Sequence, residues 1–257
     1  MRSVARCRNV SLVKRASNKP ATPDDSDLSI VIGEHADAVL GCWFGRLGKT
    51  VRCVPWRRTM LVVHRSETLY AKLYRGRLRT AAAEWRWLHL LPLLGIETAP
   101  PIAWLADRRR SLLVTASVRG RSLDAWLMDA AAEGWLAAVF SYACREVAPF
   151  ARRLHDQGLI HRDLNCAHLF ADDPRTAAAP HVIDVERMFR PRWRWRRWVV
   201  KELASLLASS PMPVPVRVAA RFLRCYAPEA TRLDRRKLAA SIGQKVARVL
   251  AHQPKFG

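Results

Sequence analysis

Two carboxylates and one imidazole in this sequence are the groups best suited to carry chemistry. Asp163 follows an apolar, helix-like segment, Asp184 ends the apolar run Val182-Ile183, and His168 lies between them. Transfer of a phosphoryl group needs one carboxylate near the acceptor hydroxyl and further ligands that fix a metal ion between the phosphates. Asp163 fits the first role, and Asp184 with His168 fits the second. Phosphoryl transfer is therefore the leading interpretation.

The segment His161-Arg162-Asp163-Leu164 reproduces the start of the protein-kinase catalytic-loop motif H-R-D-L-x-x-x-N, with His168 in the position of the asparagine. A match of four residues recurs by chance, so a surface turn is the simplest alternative. Here the match follows the helix-like segment 147–154 and is followed by a second acid. The combination favours an active site over coincidence.

A lysine and a glutamate upstream extend the same interpretation. Lys72 lies in the strand-like segment 68–74, where alternation places its side chain on the same face as Tyr70 and Tyr74. Glu84 lies on the first turns of the helix-like segment that follows. An ion pair between Lys72 and Glu84 would hold the lysine in place for phosphate oxygens. Either charge alone is more often a solvated surface group, but the pair, placed before the catalytic loop, favours function.

Two further segments are candidates for contacts with a nucleotide. Pro55–Thr59 joins two predicted strands, and its backbone amides with Arg57 and Arg58 could close over phosphates. An ordinary hairpin turn is an equal alternative. Residues 115–117 could offer backbone groups to an adenine edge, although any edge strand would look the same. These three residues are Thr115, Ala116 and Ser117.

The elements that would position these residues are of two kinds. Segments rich in β-branched and aromatic residues predict strands at 50–54, 59–64, 68–74, 102–105 and 111–118. After residue 120 the apolar spacing is helical, beginning at 123–132 with Ser122 as the predicted N-cap and continuing through 135–155. We therefore expect an α+β fold.

The predicted domains follow from this change of pattern. Residues 1–28 are basic and then polar, which predicts a flexible N-terminal arm. Residues 29–120 would form a small antiparallel β lobe, with the phosphate loop and the adenine-binding segment. Residues 121–257 would form a mainly α-helical lobe with the catalytic loop. ATP and Mg²⁺ are expected between the two lobes of this bilobal arrangement.

Charge and cysteine content limit the cellular compartments and the binding partners that are compatible with this sequence. The 257 residues include 44 Lys and Arg against 22 Asp and Glu, a formal net charge of +22. Such a field attracts phosphate-rich surfaces, whether nucleic acid, anionic lipid or a phosphorylated glycan, although a high arginine content can also reflect genomic base content. The six cysteines form no CxxC pair, and no apolar run approaches the ~20 residues of a spanning helix. We expect a cytoplasmic protein with reduced thiols.

One segment concentrates this charge beside aromatic rings. Residues 187–201 interleave seven cations with Trp193, Trp195 and Trp198. Indole rings prefer the headgroup boundary of a membrane and guanidinium groups pair with phosphates, so the segment suits an anionic lipid surface or a polyanion. Stacking on single-stranded nucleic acid would use the same residue types, and Trp198 could instead belong to the core.

Five stretches, in this order, carry a resemblance to a known family. They are YAKLYRG at 70–76, AEWRWLHLLPLLGIETAPP at 83–101, LHDQGLIHRDLNCAHLF at 154–170, VIDVERM at 182–188 and RWVVKELASLLAS at 197–209. Together they resemble the bacterial lipopolysaccharide core kinases, the heptose and Kdo kinases of the WaaP/InaA type, which have a protein-kinase-like fold. The resemblance covers about residues 45–210 and is more specific than HRDL alone.

The resemblance implies an ATP-dependent kinase that phosphorylates a heptose or Kdo hydroxyl of the lipopolysaccharide inner core. It gives Lys72 contact with the ATP phosphates and makes Glu84 its helix partner. It makes Asp163 the catalytic acid directed at the acceptor hydroxyl and Asp184 the principal Mg²⁺ ligand beside His168. The implied partners are ATP, the core glycolipid and the anionic inner-membrane surface, where the protein would be peripheral.

The sequence departs from the family pattern at two positions and leaves two alternatives open. Trp56 stands where relatives often carry glycine in the phosphate loop, and Glu202 replaces an aspartate. One alternative is a kinase for another small-molecule or protein hydroxyl. The other is a pseudokinase that binds polyanions without transfer. The intact set of Lys72, Glu84, Asp163 and Asp184 favours an enzyme over this non-catalytic polyanion-binding protein, and nucleic acid is not an expected partner.

Overall fold

The computed structural model describes residues 29–31, 35–76 and 81–251. The predicted arm at 1–28 lies outside the described residues. The chain divides into two compact units. The first, the sheet unit, comprises the residues up to Trp85 together with Pro100–Ser117, and the second, the helical unit, comprises Arg86–Ala99 and Val118 onward.

Within its described residues, the sheet unit is built on six antiparallel strands in the order β1-β5-β6-β4-β3-β2. Their bounds are β1 Ser29–Val31, β2 Lys49–Val54, β3 Arg57–His64, β4 Glu67–Arg75, β5 Pro101–Ala106 and β6 Arg110–Ala116. Helix α1 (Ala36–Trp43) packs its buried side chains against one face of the sheet. Alternate residues of the central strands, such as Met60, Ala71 and Val114, form the core beneath it. The strands predicted from composition are thus confirmed.

The turn between β2 and β3 corrects one expectation. Pairing begins immediately, with Val54 opposite Arg57 and Cys53 opposite Arg58, so the connection consists of Pro55 and Trp56 alone. Arg57 and Arg58, predicted to lie in the phosphate loop, are instead the first two residues of β3. A two-residue hairpin leaves no room for a longer loop once the strands are in register.

Helix α2 (Ala82–Leu93) follows the central strand β4 and carries Glu84 in its first turn. The residue before the helix is fixed by side-chain bonding, because the backbone N–H of Ala81 donates to Ser111 Oγ at 3.0 Å. Ser111 lies on β6, so the start of α2 is tied to the sheet. This hydrogen bond fixes the first turn of α2, which carries Glu84, relative to the sheet.

Six α-helices dominate the described part of the helical unit. They are α3 Leu123–Ala132, α4 Leu136–Tyr142, α5 Ala148–Asp156, α6 Trp195–Ala208, α7 Val216–Tyr226 and α8 Arg232–Leu250. A π turn at Ala143–Val147 joins α4 to α5, directly before Pro149, whose missing N–H breaks the regular hydrogen-bond ladder. The single long helix predicted at 135–155 is therefore real but interrupted.

The predicted cap of α3 is only half right. Ser122 occupies the N-cap position with extended backbone angles, as expected of a cap, but its side chain makes no capping hydrogen bond. Ser122 belongs to the short strand β7 (Arg121–Ser122), which pairs with β8 (Leu169–Ala171). Gly120 before it has φ +78°, and a Cβ there would lie 2.0 Å from the Ala171 carbonyl oxygen. Pairing of β7 with β8, and not a side-chain cap, therefore fixes the start of α3.

Strand β9 (His181–Val182) completes a three-stranded sheet with β7 and β8. Among the described residues, none of the helices has the length and apolar character needed to traverse a bilayer. The five described cysteines are free thiols. The helical unit also contains an apolar cavity of about 170 Å³, partly open to solvent and lined by residues such as Leu127, Val139 and Phe222.

Candidate active site

The backbone of the catalytic loop is held in an uncommon conformation by a buried acid. Arg162 has φ +77°, in the left-handed region that few residues other than glycine adopt. Its backbone N–H donates to Glu202 Oε1, and its carbonyl accepts from Lys201 Nζ at 3.1 Å. Both partners lie on α6, and Glu202 is fully buried. Helix α6 thus fixes the peptide groups on either side of Arg162, and with them the position of Asp163.

Glu202 is itself held by two residues from distant parts of the chain. Its second oxygen, Oε2, lies 3.0 Å from His155 Nε2, and His155 Nδ1 lies 2.7 Å from the Tyr226 hydroxyl. Burial raises the pKa of Tyr226, with Asp156 and Glu202 adding to the effect, so the hydroxyl stays protonated and can donate to Nδ1. We call Glu202, His155 and Tyr226 the buried triad.

Asp163 is oriented by an arginine. Arg187 Nη1 donates to both carboxylate oxygens, at 3.0 Å to Oδ1 and 2.9 Å to Oδ2. The Asp163 side chain remains about a third exposed. A carboxylate that is fixed in direction by its partner and open to solvent is suited to accept a proton from an incoming hydroxyl.

The hydrogen bonds of His168 define its tautomer. Nδ1 lies 2.9 Å from the backbone carbonyl oxygen of Asp163, and since a carbonyl only accepts, Nδ1 carries the hydrogen. In the neutral ring Nε2 then has a free lone pair. Nε2 lies 3.8 Å from Asp184 Oδ2, a separation that two ligands of one ion, each about 2.0–2.2 Å away, can span. This donor pair fits a divalent cation.

The strands explain why His168 and Asp184 meet. His168 ends a 3₁₀ turn (Cys166–His168) and precedes β8, while Asp184 follows β9 after one residue. In the antiparallel pair Leu169 lies opposite Val182, so these two strand ends coincide. Asp184 has φ +58°, so the chain turns away from the strand direction at this residue. The spacing of the motif alone, without this register, would not bring the two side chains together.

His161 contacts the chain next to Asp184, at the end of β9. It is fully buried, and Nε2 lies 3.0 Å from the carbonyl oxygen of Ile183, the residue before Asp184. Burial lowers the pKa of His161, and the neighbouring His168 lowers it further, while Glu202 opposes the shift. A neutral His161 therefore donates to the Ile183 carbonyl and links the start of the catalytic loop to the turn that carries Asp184.

In the sheet unit, Lys72 and Glu84 form the expected ion pair. Lys72 Nζ lies 2.7 Å from Glu84 Oε1, and the Tyr74 hydroxyl donates to Glu84 Oε2 at 3.0 Å. Lys72 and Tyr74 therefore share one face of β4, as the alternation predicts. Glu84 is only 2% exposed, so its two oxygens are satisfied by this pair of donors in a buried setting.

The other predicted nucleotide contacts are placed less favourably. Arg57 is buried with its guanidinium 5.8 Å from the Tyr74 ring centre, and Arg58 Nη2 contacts Met60 Sδ at 3.0 Å. The N–H groups of Ala116 and Ser117 already donate to the Pro100 and Thr68 carbonyls. Thr115 pairs within the sheet. Binding of phosphate or adenine by these residues stays a prediction.

Sequence reasoning missed the residues that hold the loop. His155 and Tyr226 were not singled out, and Glu202 entered only as a departure from a pattern. The available signal was the presence of a histidine, a glutamate and a tyrosine on the buried faces of three helices. Burying such polar groups costs free energy unless they form hydrogen bonds with one another.

Comparison with solved structures defines the class of fold. The chain is similar to a structure described as WaaP in complex with acyl carrier protein, with 24% identity, a TM-score of 0.68, and coverage of 86% of this chain and 99% of that one. It is also similar to an aminoglycoside-3'-phosphotransferase of type VIII, with 19% identity, a TM-score of 0.54, and coverage of 83% and 100%. The fold is therefore that of the protein-kinase-like phosphotransferases.

The family follows from the sequence itself. The pattern of the Lipopolysaccharide kinase (Kdo/WaaP) family matches residues 37–226, which is most of the chain. A comparison with curated proteins finds no match. The chain belongs to the lipopolysaccharide kinase (Kdo/WaaP) family, and the predicted kinase class and α+β fold are confirmed.

Proposed function

We propose that this protein is an ATP-dependent kinase that phosphorylates a heptose or Kdo hydroxyl of the lipopolysaccharide inner core. The observation that carries the proposal is the cluster of Asp163, His168 and Asp184. There a base fixed by an arginine lies beside a pair of metal ligands with a defined histidine tautomer. Membership of the lipopolysaccharide kinase family supplies the substrate class.

In this proposal Asp163 accepts the proton of the acceptor hydroxyl as its oxygen forms a bond to the γ-phosphorus of ATP. The bond from that phosphorus to the β,γ-bridging oxygen breaks, and ADP leaves. Arg187 holds the Asp163 carboxylate in a fixed direction before the transfer. Lys72, positioned by Glu84, provides positive charge for the phosphate oxygens of ATP.

Asp184 and His168 would hold Mg²⁺. The ion, when bound, neutralises the charge that develops on the phosphates during transfer. The support from this chain is the donor set, one carboxylate oxygen and one unprotonated imidazole nitrogen that face each other. Magnesium and manganese prefer oxygen ligands, whereas imidazole suits zinc, iron and nickel, so assays should compare Mg²⁺ with Mn²⁺ and Zn²⁺.

The remaining proposed contacts are with the nucleotide and with the membrane surface. Arg57 and Arg58 would approach the phosphates and Thr115–Ser117 the adenine, as the sequence predicts. The segment 187–201 would hold the protein at the anionic cytoplasmic face of the inner membrane. Trp193 is 80% exposed and Trp195 is 37% exposed, so both indoles are open to an interface.

A carrier protein is a further candidate partner. The WaaP neighbour was solved with an acyl carrier protein. This chain has an apolar cavity of about 170 Å³ in its helical unit, comparable to the ~150 Å³ engineered cavity that binds benzene. We expect acylated carrier protein to co-elute with this protein, and unacylated carrier to co-elute less. Equal co-elution of both would argue against the cavity as the binding element.

Transfer of labelled phosphate from [γ-³²P]ATP to purified lipopolysaccharide with an unphosphorylated core tests the proposal. We expect label in the core glycolipid and none in protein or nucleic acid. Mass spectrometry should show one added phosphate on a heptose or Kdo residue. An Asp163→Asn variant should transfer about 10²–10⁴-fold more slowly, since it lacks the base. Label found only in a protein or in a different small molecule would replace the lipopolysaccharide acceptor.

A further inference from the structure

A charged depression of the helical unit lies against the catalytic loop. It is a groove of about 690 Å³ whose lining includes Arg162, Arg187, Lys201, Lys245 and Arg248. Seven of the eleven lining residues are cationic, and within the described part of the chain no carboxylate lines it. We call this the basic groove. Like charges at such density repel one another, so the groove is suited to bind an anion rather than to stabilise the fold.

The groove begins at the catalytic base. Arg162 precedes Asp163 in the chain, and Arg187 donates to both Asp163 oxygens. From there the lining runs along α6 through Lys201 and crosses to α8 at Lys245 and Arg248. A ligand lying in the groove would therefore have one end beside Asp163 and its other end over α8.

Lys201 shows how crowded the positive charge is. It donates to the Arg162 carbonyl at 3.1 Å, and its ammonium lies 5.6 Å from the centre of the Trp198 ring. Burial lowers the pKa of Lys201, and Arg162 and Arg187 lower it further against the opposing Asp163 and Glu202. An anion bound here would relieve this repulsion as well as form contacts.

The uncharged lining favours a sugar over a bare phosphate. Trp198 offers an aromatic side chain, and Ser241 and Gln244 offer a hydroxyl and an amide that can pair with sugar hydroxyls. A flat membrane surface would engage protruding residues rather than the floor of a concave groove. The combination fits an oligosaccharide that carries two or more carboxylates or phosphates.

We propose that the basic groove is the acceptor site, in which Lys245 and Arg248 bind anionic groups of a multiply charged oligosaccharide whose hydroxyl lies at Asp163. This inference rests on the proposed function and adds the residues that select the acceptor. Lys245 and Arg248 are specificity-determining residues, and they contact charges of the acceptor away from the reacting hydroxyl.

The test replaces both cations of α8 and leaves the catalytic loop intact. The probe is a deacylated inner-core oligosaccharide with Kdo carboxylates, titrated calorimetrically without ATP. In the double variant Lys245→Gln/Arg248→Gln we expect binding about tenfold weaker, equivalent to the loss of two partly exposed ion pairs. The matched control, Arg236→Gln/Lys237→Gln, removes the same charge from α8 outside the groove and should bind within twofold of the native protein.

A charge-preserving variant and a transfer assay complete the test. Lys245→Arg should retain affinity, which separates lost charge from a disturbed fold. In transfer assays the double variant should raise KM for the oligosaccharide about tenfold and leave KM for ATP as in the native protein. Groove-dependent binding without phosphate transfer would leave this site in place and reject the proposed kinase activity.

Three results would overturn the acceptor site. One is native protein that fails to bind the oligosaccharide. Another is equal weakening by the double variant and its control, which would reflect net charge alone. The third is a double variant that loses binding to phosphatidylglycerol vesicles but keeps its affinity for the oligosaccharide, which would assign the groove to the membrane.

Discussion

The two units use a buried glutamate in different ways. In the sheet unit Glu84 pairs directly with a lysine side chain, 2.7 Å away, that is proposed to act on ATP. In the helical unit Glu202 contacts no proposed reactant and bonds the backbone of Arg162 and the ring of His155. The first glutamate orients a functional group, whereas the second orients a loop. Replacing Glu202 should therefore mainly lower stability, whereas replacing the lysine partner of Glu84 should mainly lower activity.

The largest effect is expected at Glu202. Replacing it by alanine removes two charge-assisted hydrogen bonds, each worth about 1.5–3 kcal/mol, and leaves the Arg162 N–H and His155 without their buried acceptor. We expect a loss of about 3–5 kcal/mol in the free energy of unfolding, measured by urea denaturation, together with low transfer activity. Glu202→Gln keeps an acceptor oxygen and should lose less than half as much. Equal losses in the two variants would show that the carboxylate is not the anchor.

Lys72→Met should have the opposite effect to Glu202→Ala: a small loss of stability and a large loss of activity. Glu84 keeps the Tyr74 hydroxyl, so we expect a stability loss of only about 1–2 kcal/mol. Loss of the charge near the phosphates should lower kcat/KM for ATP by about 10²–10³-fold. Steady-state kinetics at varied ATP and thermal denaturation measure the two effects. Lys49→Met, an exposed lysine on β2, is the control and should change neither. Activity close to native in Lys72→Met would remove the lysine from the mechanism.

These two glutamates also show what a sequence can reveal. Lys72 and Glu84 are 12 residues apart on a strand and the next helix, and alternation with helix onset was enough to pair them. The buried triad joins residues 47 and 71 positions apart on three helices. No local period connects such positions, because the contact exists only after the helices pack.

The same limit explains the misplaced arginines. Composition located the strands around Pro55 but not the length of the turn, so Arg57 and Arg58 were assigned to a loop that is two residues long. The motif in the catalytic loop was more informative, since it fixed Asp163 and His168 together. The partnership of Arg187 with Asp163 followed only from the three-dimensional arrangement.

A smaller change should come from the far end of the triad. Tyr226→Phe removes the hydroxyl that bonds His155 Nδ1 and keeps the ring in place. We expect a loss of about 1 kcal/mol in the free energy of unfolding, with kcat reduced less than in Glu202→Ala. Chemical denaturation of the single variants and the Glu202→Gln/Tyr226→Phe pair forms a double-mutant cycle. Strict additivity would indicate that Tyr226 does not act through Glu202.

The smallest expected effect is a pH dependence. Burial lowers the pKa of His161 in the folded state, so the unfolded chain binds the proton more readily. Stability should therefore fall as pH decreases through the ordinary histidine pKa of about 6.5 and recover above it. His161→Gln can still donate to the Ile183 carbonyl but does not titrate. The native-minus-variant difference in unfolding free energy, measured from pH 7.5 to 5.5, should decline on acidification, and a constant difference would mean that His161 does not titrate on unfolding.

The central claim is that Asp184 holds the metal ion for transfer of phosphate to a lipopolysaccharide core hydroxyl. The most direct measurement is kcat of Asp184→Asn with ATP, Mg²⁺ and the core acceptor, beside a thermal melt of the same variant. We predict a kcat at least about 10²-fold below that of the native protein, with the melting temperature essentially unchanged. Native turnover by a folded Asp184→Asn protein would contradict the account.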